Sequence, residues 1–305
     1  MSPTTFQIPS FAKINWSLQV LGRRPDGYHE IRTLLQTISL HDDLRFSSSG
    51  GDELIFSCSD PNIPVGLDNL VVRAAHALRD HFQIGVGANI HLEKRIPAKG
   101  GLGGGSSNAA ITLLALSKLW DLEIEQEDLF DLGGKLGTDV PFFFTGGTAL
   151  AEGTGTRVFP VTDAAKKHIV IISPNATVST AAAYEALQAS ALTTSSDDTI
   201  LSSFHAGADL ELSRPCKPRN DFEHVVFESE PEIGRAKNEL QRVGADSSLL
   251  AGSGSSVFGI FESKQEQERA IAELKAEPGW RVFPAVTMSR REYSQALGPC
   301  GVLVV

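Results

Sequence analysis

The chain has 305 residues, 41% of them hydrophobic and 21% charged, which is enough for one large domain or two ordinary ones. Its formal net charge of -10 argues against the broad basic face that nucleic-acid or anionic-membrane binding requires, while leaving room for an anionic ligand held by local cations and backbone N–H groups. Cys58, Cys216 and Cys300 are scattered with no C-x-x-C pair, and the eight histidines form no H-E-x-x-H motif. That pattern fits reduced thiols in a cytoplasmic protein without a structural zinc. No apolar run is long enough for a membrane span, and the N-terminus lacks the charged and apolar regions of a signal peptide.

Taken in order, Phe6 to Val20 reads as strand, and Thr33 to Leu44 as a second strand with a turn. Asn69 to Phe82 has helical spacing, with Leu70, Ala74, Ala77 and Leu78 on one side. Ala88 to Lys94 alternates like a strand. A glycine-rich loop follows, and then a helix that Ser106 or Ser107 can cap, running to about Trp120 on a stripe of Ala110, Leu113, Leu114 and Leu116. The composition shifts near Val161 to Lys167. Beyond it come a strand (Ile169 to Ser173), a helix (Thr180 to Ala191), a polar loop (Thr193 to Arg219), and helical stretches to about Val243. A strand pair around AGSGSSVFGIF, a helix (Gln265 to Ala276) and a strand (Trp280 to Thr287) complete the chain. Strands flanked by helices in this way suggest an α+β second domain.

The loop carries the chemistry. A strand ends at Pro97, five glycines fall in the next eight residues, and a helix begins. Glycine lets backbone N–H groups approach a ligand and adopt positive φ. The helix N-terminus adds unpaired donors and partial positive charge. The sum is an anion site, to which Ser106 and Ser107 add hydroxyls. Lys94, Arg95 and Lys99 lie nearby as cations or as ordinary surface charges. The segment is neither G-x-x-x-x-G-K-[ST], since no lysine follows the glycines, nor G-x-G-x-x-G, since Ser106 stands where a third glycine would be.

PAKGGLGGGSSNAA resembles the ATP-binding motif of the GHMP kinases, the family of galactokinase and of homoserine, mevalonate and phosphomevalonate kinases. The triple glycine followed by Ser-Ser-Asn is most similar to the branch that phosphorylates 4-diphosphocytidyl-2-C-methyl-D-erythritol. FAKINWSLQVLGRRPDGYHEIRTLLQTISLHDDL, LGTDVPFFFTGGTALAEGTG and LLAGSGSSVFGIF resemble further blocks of that branch in the same order, and Asn220-Asp221 matches a shorter one. Phe11, Ala251 and Thr156 depart from the usual residues without removing one that carries chemistry. Thr193 to Arg214 matches poorly.

The resemblance implies a two-domain α+β GHMP-kinase fold. Residues 1–162 would form an N-terminal ribosomal-protein-like α/β domain with ATP-binding and catalytic functions, and 163–305 a ferredoxin-like C-terminal domain. It implies ATP and Mg²⁺ as cofactors. ATP would lie on Pro97, Ala98, Lys99, Gly100, Gly101, Leu102, Gly103, Gly104, Gly105, Ser106, Ser107 and Asn108, with Asn69 and Lys94 toward the adenosine and Ser107 a candidate metal ligand. Asp139 would be the catalytic base and Lys13 its partner. Taken alone, an aspartate before Val-Pro is a turn residue, and a strand lysine faces solvent. Asn15, two residues on, shares the face of Lys13 and would reach the polyol. Tyr28 would stack on cytosine and His29 bond its edge. Gly252, Ser253 and Gly254 would close over the loop and line the substrate diphosphate. The implied partners are small molecules, not nucleic acid or membrane, with the protein a monomer or weak homodimer. Two rivals remain: a GHMP kinase for mevalonate, homoserine or a sugar, and a non-catalytic ATP-binding regulator on the same fold.

Overall fold

The computed structural model describes residues 5–187 and 218–304. Two long antiparallel strands, β1 (Thr5–Arg23) and β2 (His29–Ser48), form the spine. Thr33 to Leu44, expected as a strand with a turn, lies within one continuous strand. Register shifts, at Phe11/Ala12 and Asn15/Ser17 among others, replace the expected turn and bend the ribbon. Around this spine lie β3 (Leu54–Cys58), β4 (Ala88–Glu93), β5 (Thr148–Gly153), β6 (Arg157–Pro160) and the short β8 (Arg219–Asn220). The order is β3-β4-β2-β1-β8, with β5 also paired to β2 and β6 to β5.

Helices α1 (Leu70–Phe82) and α2 (Gly104–Leu119) pack against this sheet, and α3 (Gln126–Leu136) lies on α1 and α2. Asn69 caps α1 by accepting from the Val71 N–H. α2 is buried over most of its length because the first core closes around it. The expected serine cap is not there. α2 begins at Gly104, with Gly103 at the N-cap in the left-handed region (φ 70°) and no side-chain cap, so Ser106 and Ser107 belong to its first turn.

The second sheet is antiparallel, in order β11-β7-β10-β9. Its strands are β7 (His168–Pro174), β9 (Ser247–Leu250), β10 (Val257–Phe261) and β11 (Trp280–Val286). It carries α6 (Pro231–Arg242) and α7 (Lys264–Leu274), preceded by α4 (Thr180–Ala186) and α5 (Glu223–Ser229). The helix expected over 180–191 is described to Ala186; the rest of it, and most of the polar loop, lie outside the described residues. Ala12, Ile14 and Ile38 of the first sheet pack against Ile169, Ile171, Leu249 and Phe258 of the second. This apolar contact covers the face of β1 opposite the one that carries Lys13. A last helix unforeseen from the sequence, α8 (Arg290–Ala296), returns to the first core, where buried Tyr293 donates to the Phe143 carbonyl at 2.6 Å. The apolar tail follows it, with Leu303 and Val304 against the same core.

Candidate active site

Lys13 occupies the middle of β1 with its side chain 4% exposed. Its ammonium lies 3.3 Å from an Asp139 carboxylate oxygen and donates to Asn15 Oδ1 at 3.1 Å. Its backbone N–H donates to the Leu102 carbonyl, which ties the strand to the glycine loop at 2.9 Å. Asp139 stands on the turn before a 3-10 helix, Pro141–Phe144, and its side chain is 36% exposed. A buried cation facing a half-open carboxylate avoids the cost of an unpaired buried charge and leaves the carboxylate accessible from one side.

Asn15 does share the face of Lys13, as the two-residue period requires. It is also a junction: Oδ1 accepts from the Gly252 N–H at 3.1 Å, and Nδ2 donates to Thr33 Oγ1 at 2.8 Å. The Gly252 carbonyl in turn accepts from Asn220 Nδ2 at 2.7 Å. Gly252 to Gly254 therefore close over the glycine loop from the second sheet. The Ser256 N–H donates to the Gly100 carbonyl at 3.2 Å, and a Cβ on Gly101 would fall 1.9 Å from the Ala251 carbonyl oxygen. Only glycine fits at 101. Ser253 pairs with the Thr180 hydroxyl at 2.8 Å.

The glycine loop lines a cavity with Asn69, Leu70, Lys94, Pro97 and the start of α2. A Cβ at Gly105 would meet nothing nearer than Leu70 Cδ1 at 3.6 Å, whereas one at Gly104 would press on Ile96 at 3.0 Å. The open side of the cradle is thus at 105. The cradle fits a polyphosphate: free N–H groups at a helix start, small residues and the exposed Lys99. Lys94 and Asn108 are turned inward. Both bond Asp42, a fully buried carboxylate that accepts from Lys94 Nζ at 2.8 Å, Asn108 Nδ2 at 3.1 Å and the Arg95 and Ile96 N–H groups at 2.7 and 2.8 Å. Asp42 fixes the chain leading into the loop, and nothing in LHDDL distinguishes it from Asp43 beforehand. Ser107, the metal candidate, is also buried, its hydroxyl accepting from Ser10 at 2.7 Å. Ser106 is more open, beside Gly137 and so near the Asp139 turn. Among the described residues no group of three His, Cys, Asp or Glu side chains could hold a metal; Ser106 is the open hydroxyl beside the cradle that could meet a phosphate-bound magnesium ion.

A second cavity of about 620 Å³ runs from Tyr28 and His29 to Thr138, immediately before Asp139. Tyr28 is 60% exposed. His29 stacks on Tyr184 with ring centroids 4.6 Å apart and planes 19° from parallel. Burial, followed by the charge of Arg23, lowers the His29 pKa below 6.5, so the ring is neutral at pH 7. Burial pushes the Tyr184 hydroxyl up to about 12, and the Asp139 charge adds to this, which places the cavity within electrostatic reach of Asp139. Tyr184 escaped the sequence reading because its ring partner is far along the chain and TAAAYEAL reads as an ordinary helix.

Residues 69–147 match the GHMP kinases N terminal domain, and residues 201–279 match the GHMP kinases C terminal domain. A 4-diphosphocytidyl-2-C-methyl-D-erythritol kinase of Geotalea daltonii is 40% identical over 285 residues, covering 93% of this chain and 99% of the relative. The chain belongs to the GHMP kinase family. A kinase of the same name from Caldicellulosiruptor saccharolyticus is 38% identical, covering 88% of this chain and 92% of its own. The crystal structure of a 4-(cytidine 5'-diphospho)-2C-methyl-D-erythritol kinase superposes with a TM-score of 0.74 at 33% identity, over 92% of this chain and 99% of that one. Homoserine kinase from Cytophaga hutchinsonii shares the fold at 18% identity, with a TM-score of 0.68 over 93% of this chain and 95% of that one. The expected two-part α+β GHMP-kinase fold is therefore the fold found.

Proposed function

We infer that this kinase transfers the γ-phosphoryl group of ATP to the 2-hydroxyl of 4-diphosphocytidyl-2-C-methyl-D-erythritol, giving the 2-phosphate and ADP in the methylerythritol phosphate route to isopentenyl diphosphate. The observation that carries this reading is the position of the Lys13–Asp139 pair: Lys13 is bonded to the glycine loop, and Asp139 adjoins the cavity that holds the stacked His29 and Tyr184. A phosphoryl acceptor spanning that cavity would present its hydroxyl between the two sites.

In this reading Asp139 takes the proton of the attacking hydroxyl, and Lys13 orients that carboxylate and stabilises charge developing on the oxygen. Asn15 holds Lys13 in register with the Gly252 loop. The N–H groups from Gly103 onward and Lys99 bind the triphosphate. A magnesium ion, when bound, neutralises phosphate charge. Phosphoryl transfer is accelerated mainly by positioning and electrostatic stabilisation, so a small set of groups suffices. Tyr28 and the His29–Tyr184 stack present flat faces to the cytosine ring, and stacking of this kind is worth roughly 1–3 kcal/mol per base. Gly252 to Gly254 line the substrate diphosphate.

We assign residues 1–162 to the nucleotide-binding and catalytic domain and 163–305 to the second, with α8 reaching back across the boundary. We assign the protein to the cytoplasm, as a monomer or weak homodimer acting on small molecules; among the described residues no helix is long and apolar enough to cross a membrane. A panel of diphosphocytidyl-methylerythritol, mevalonate, homoserine and galactose with ATP separates the rivals. Turnover confined to the first supports the assignment, turnover of another replaces it, and ATP binding without turnover of any favours a regulator.

A further inference from the structure

We propose that Arg23 is the anion-binding group of the acceptor cavity and pairs with the diphosphate of the cytidyl substrate; the proposal rests on the reading of that cavity given above. Arg23 is the last residue of β1 and stands directly opposite His29 in the β1–β2 register. Directly opposed residues of an antiparallel pair project from the same face of the sheet, so the guanidinium emerges beside the His29–Tyr184 stack. Its neighbour Arg24 is engaged with Glu30 at 2.7 Å and Asp26 at 3.1 Å. Arg23 has no carboxylate partner among the described residues, yet it lines the cavity.

Among the described residues lining this cavity Arg23 is the one Lys or Arg, and Glu185 is the one acid. A diphosphate that bridges a nucleoside and a polyol carries about two negative charges at pH 7. The whole chain, at -10, repels it. A free guanidinium at the cavity wall supplies the local opposite charge, and its planar fork matches two phosphate oxygens at once, which a lysine cannot do. The charge of Arg23 also helps keep His29 neutral, which matches a cation held close to that ring. The assignment makes the base end of the substrate a shape-and-stacking site and the linkage beside it a charge site, served by different side chains.

The test is calorimetry of CDP and cytidine binding to wild type, Arg23→Gln and Arg23→Lys, with the nucleotide site filled by a non-hydrolysable ATP analogue. Loss of one charge-assisted contact predicts about a tenfold weaker CDP affinity in Arg23→Gln, with cytidine affinity changed less than about twofold. Arg23→Lys should fall between wild type and Arg23→Gln. The KM for the full substrate should rise by the same factor while the KM for ATP stays put. In an NMR titration of Arg23→Gln the His29 pKa should climb back toward 6.5, a change that a merely structural role would not produce. Equal losses for CDP and cytidine, or no loss for either, would overturn the Arg23 assignment alone. Wild-type protein that binds neither compound would overturn the cavity's reading and the proposal with it.

Discussion

The proposed nucleotide cradle and the proposed acceptor cavity adjoin the same Lys13–Asp139 pair but are made of different material. The cradle is mostly backbone: one contiguous segment, Pro97 to Asn108, whose glycines expose N–H groups at the start of α2. The acceptor cavity is mostly side chains, drawn from the β1–β2 hairpin, the Thr138 turn and α4. A backbone site needs particular residue types in an unbroken run and is therefore written locally. A side-chain site needs only that distant residues meet, and the chain between them is silent about it.

Replacing the shared element should have the largest effect. Asp139→Asn should lower kcat by about 10²–10⁴-fold, with ATP and cytidyl-substrate affinities largely kept, because it removes the proposed general base between the two sites. Steady-state kinetics with calorimetry checks this, and near wild-type turnover in folded protein would remove Asp139 from the mechanism.

The next change strikes the cradle from beneath. Asp42→Ala leaves Lys94 buried and unpaired, and breaking such a pair typically costs about 3–5 kcal/mol. Chemical denaturation should show that loss. The KM for ATP should rise while binding of CDP in the acceptor cavity holds in the protein that remains folded. If both sites weaken together, the cradle and the cavity are not separable.

Tyr184→Ala tests the other region. It removes the ring on which His29 stacks, and should cost roughly 1–3 kcal/mol in kcat/KM for the cytidyl substrate without altering the KM for ATP. A substrate lacking cytidine, 2-C-methylerythritol 4-phosphate, should show no such penalty. Equal penalties on both substrates would mean that the ring holds structure and does not read a base. The smallest effect should come from Gly105→Val, which places a side chain on the open side of the cradle, where the nearest atom beyond its own helix backbone is Leu70 Cδ1 at 3.6 Å. The KM for ATP should rise several-fold with Tm unchanged, while Gly104→Val, pressed against Ile96 at 3.0 Å, should lower Tm by the overpacking expected of a filled site.

These contrasts explain what could be read from the sequence alone. The strands and helices flanking the glycine run, the shared face of Lys13 and Asn15, and the strand pair around Gly252 follow from local period and turn chemistry, and all are present. The serine cap on α2 failed because Gly103 supplies the left-handed entry itself, freeing Ser107 to turn inward to Ser10. Asp42 was invisible because its importance comes from four donors, three on the segment after β4 and one on α2, not from its neighbours in LHDDL. Tyr184 and Arg23 were missed for the same reason: a stack and a free cation are properties of the assembled cavity.

In the proposed function one Lys13–Asp139 pair joins an ATP cradle to a cytidine-reading cavity. The most direct test is ATP consumption by the purified wild-type protein with 4-diphosphocytidyl-2-C-methyl-D-erythritol, with 2-C-methylerythritol 4-phosphate and without acceptor. The account predicts brisk ADP formation with the first and little with the other two. Equal ADP formation with both acceptors, or none with the cytidyl compound, would contradict it.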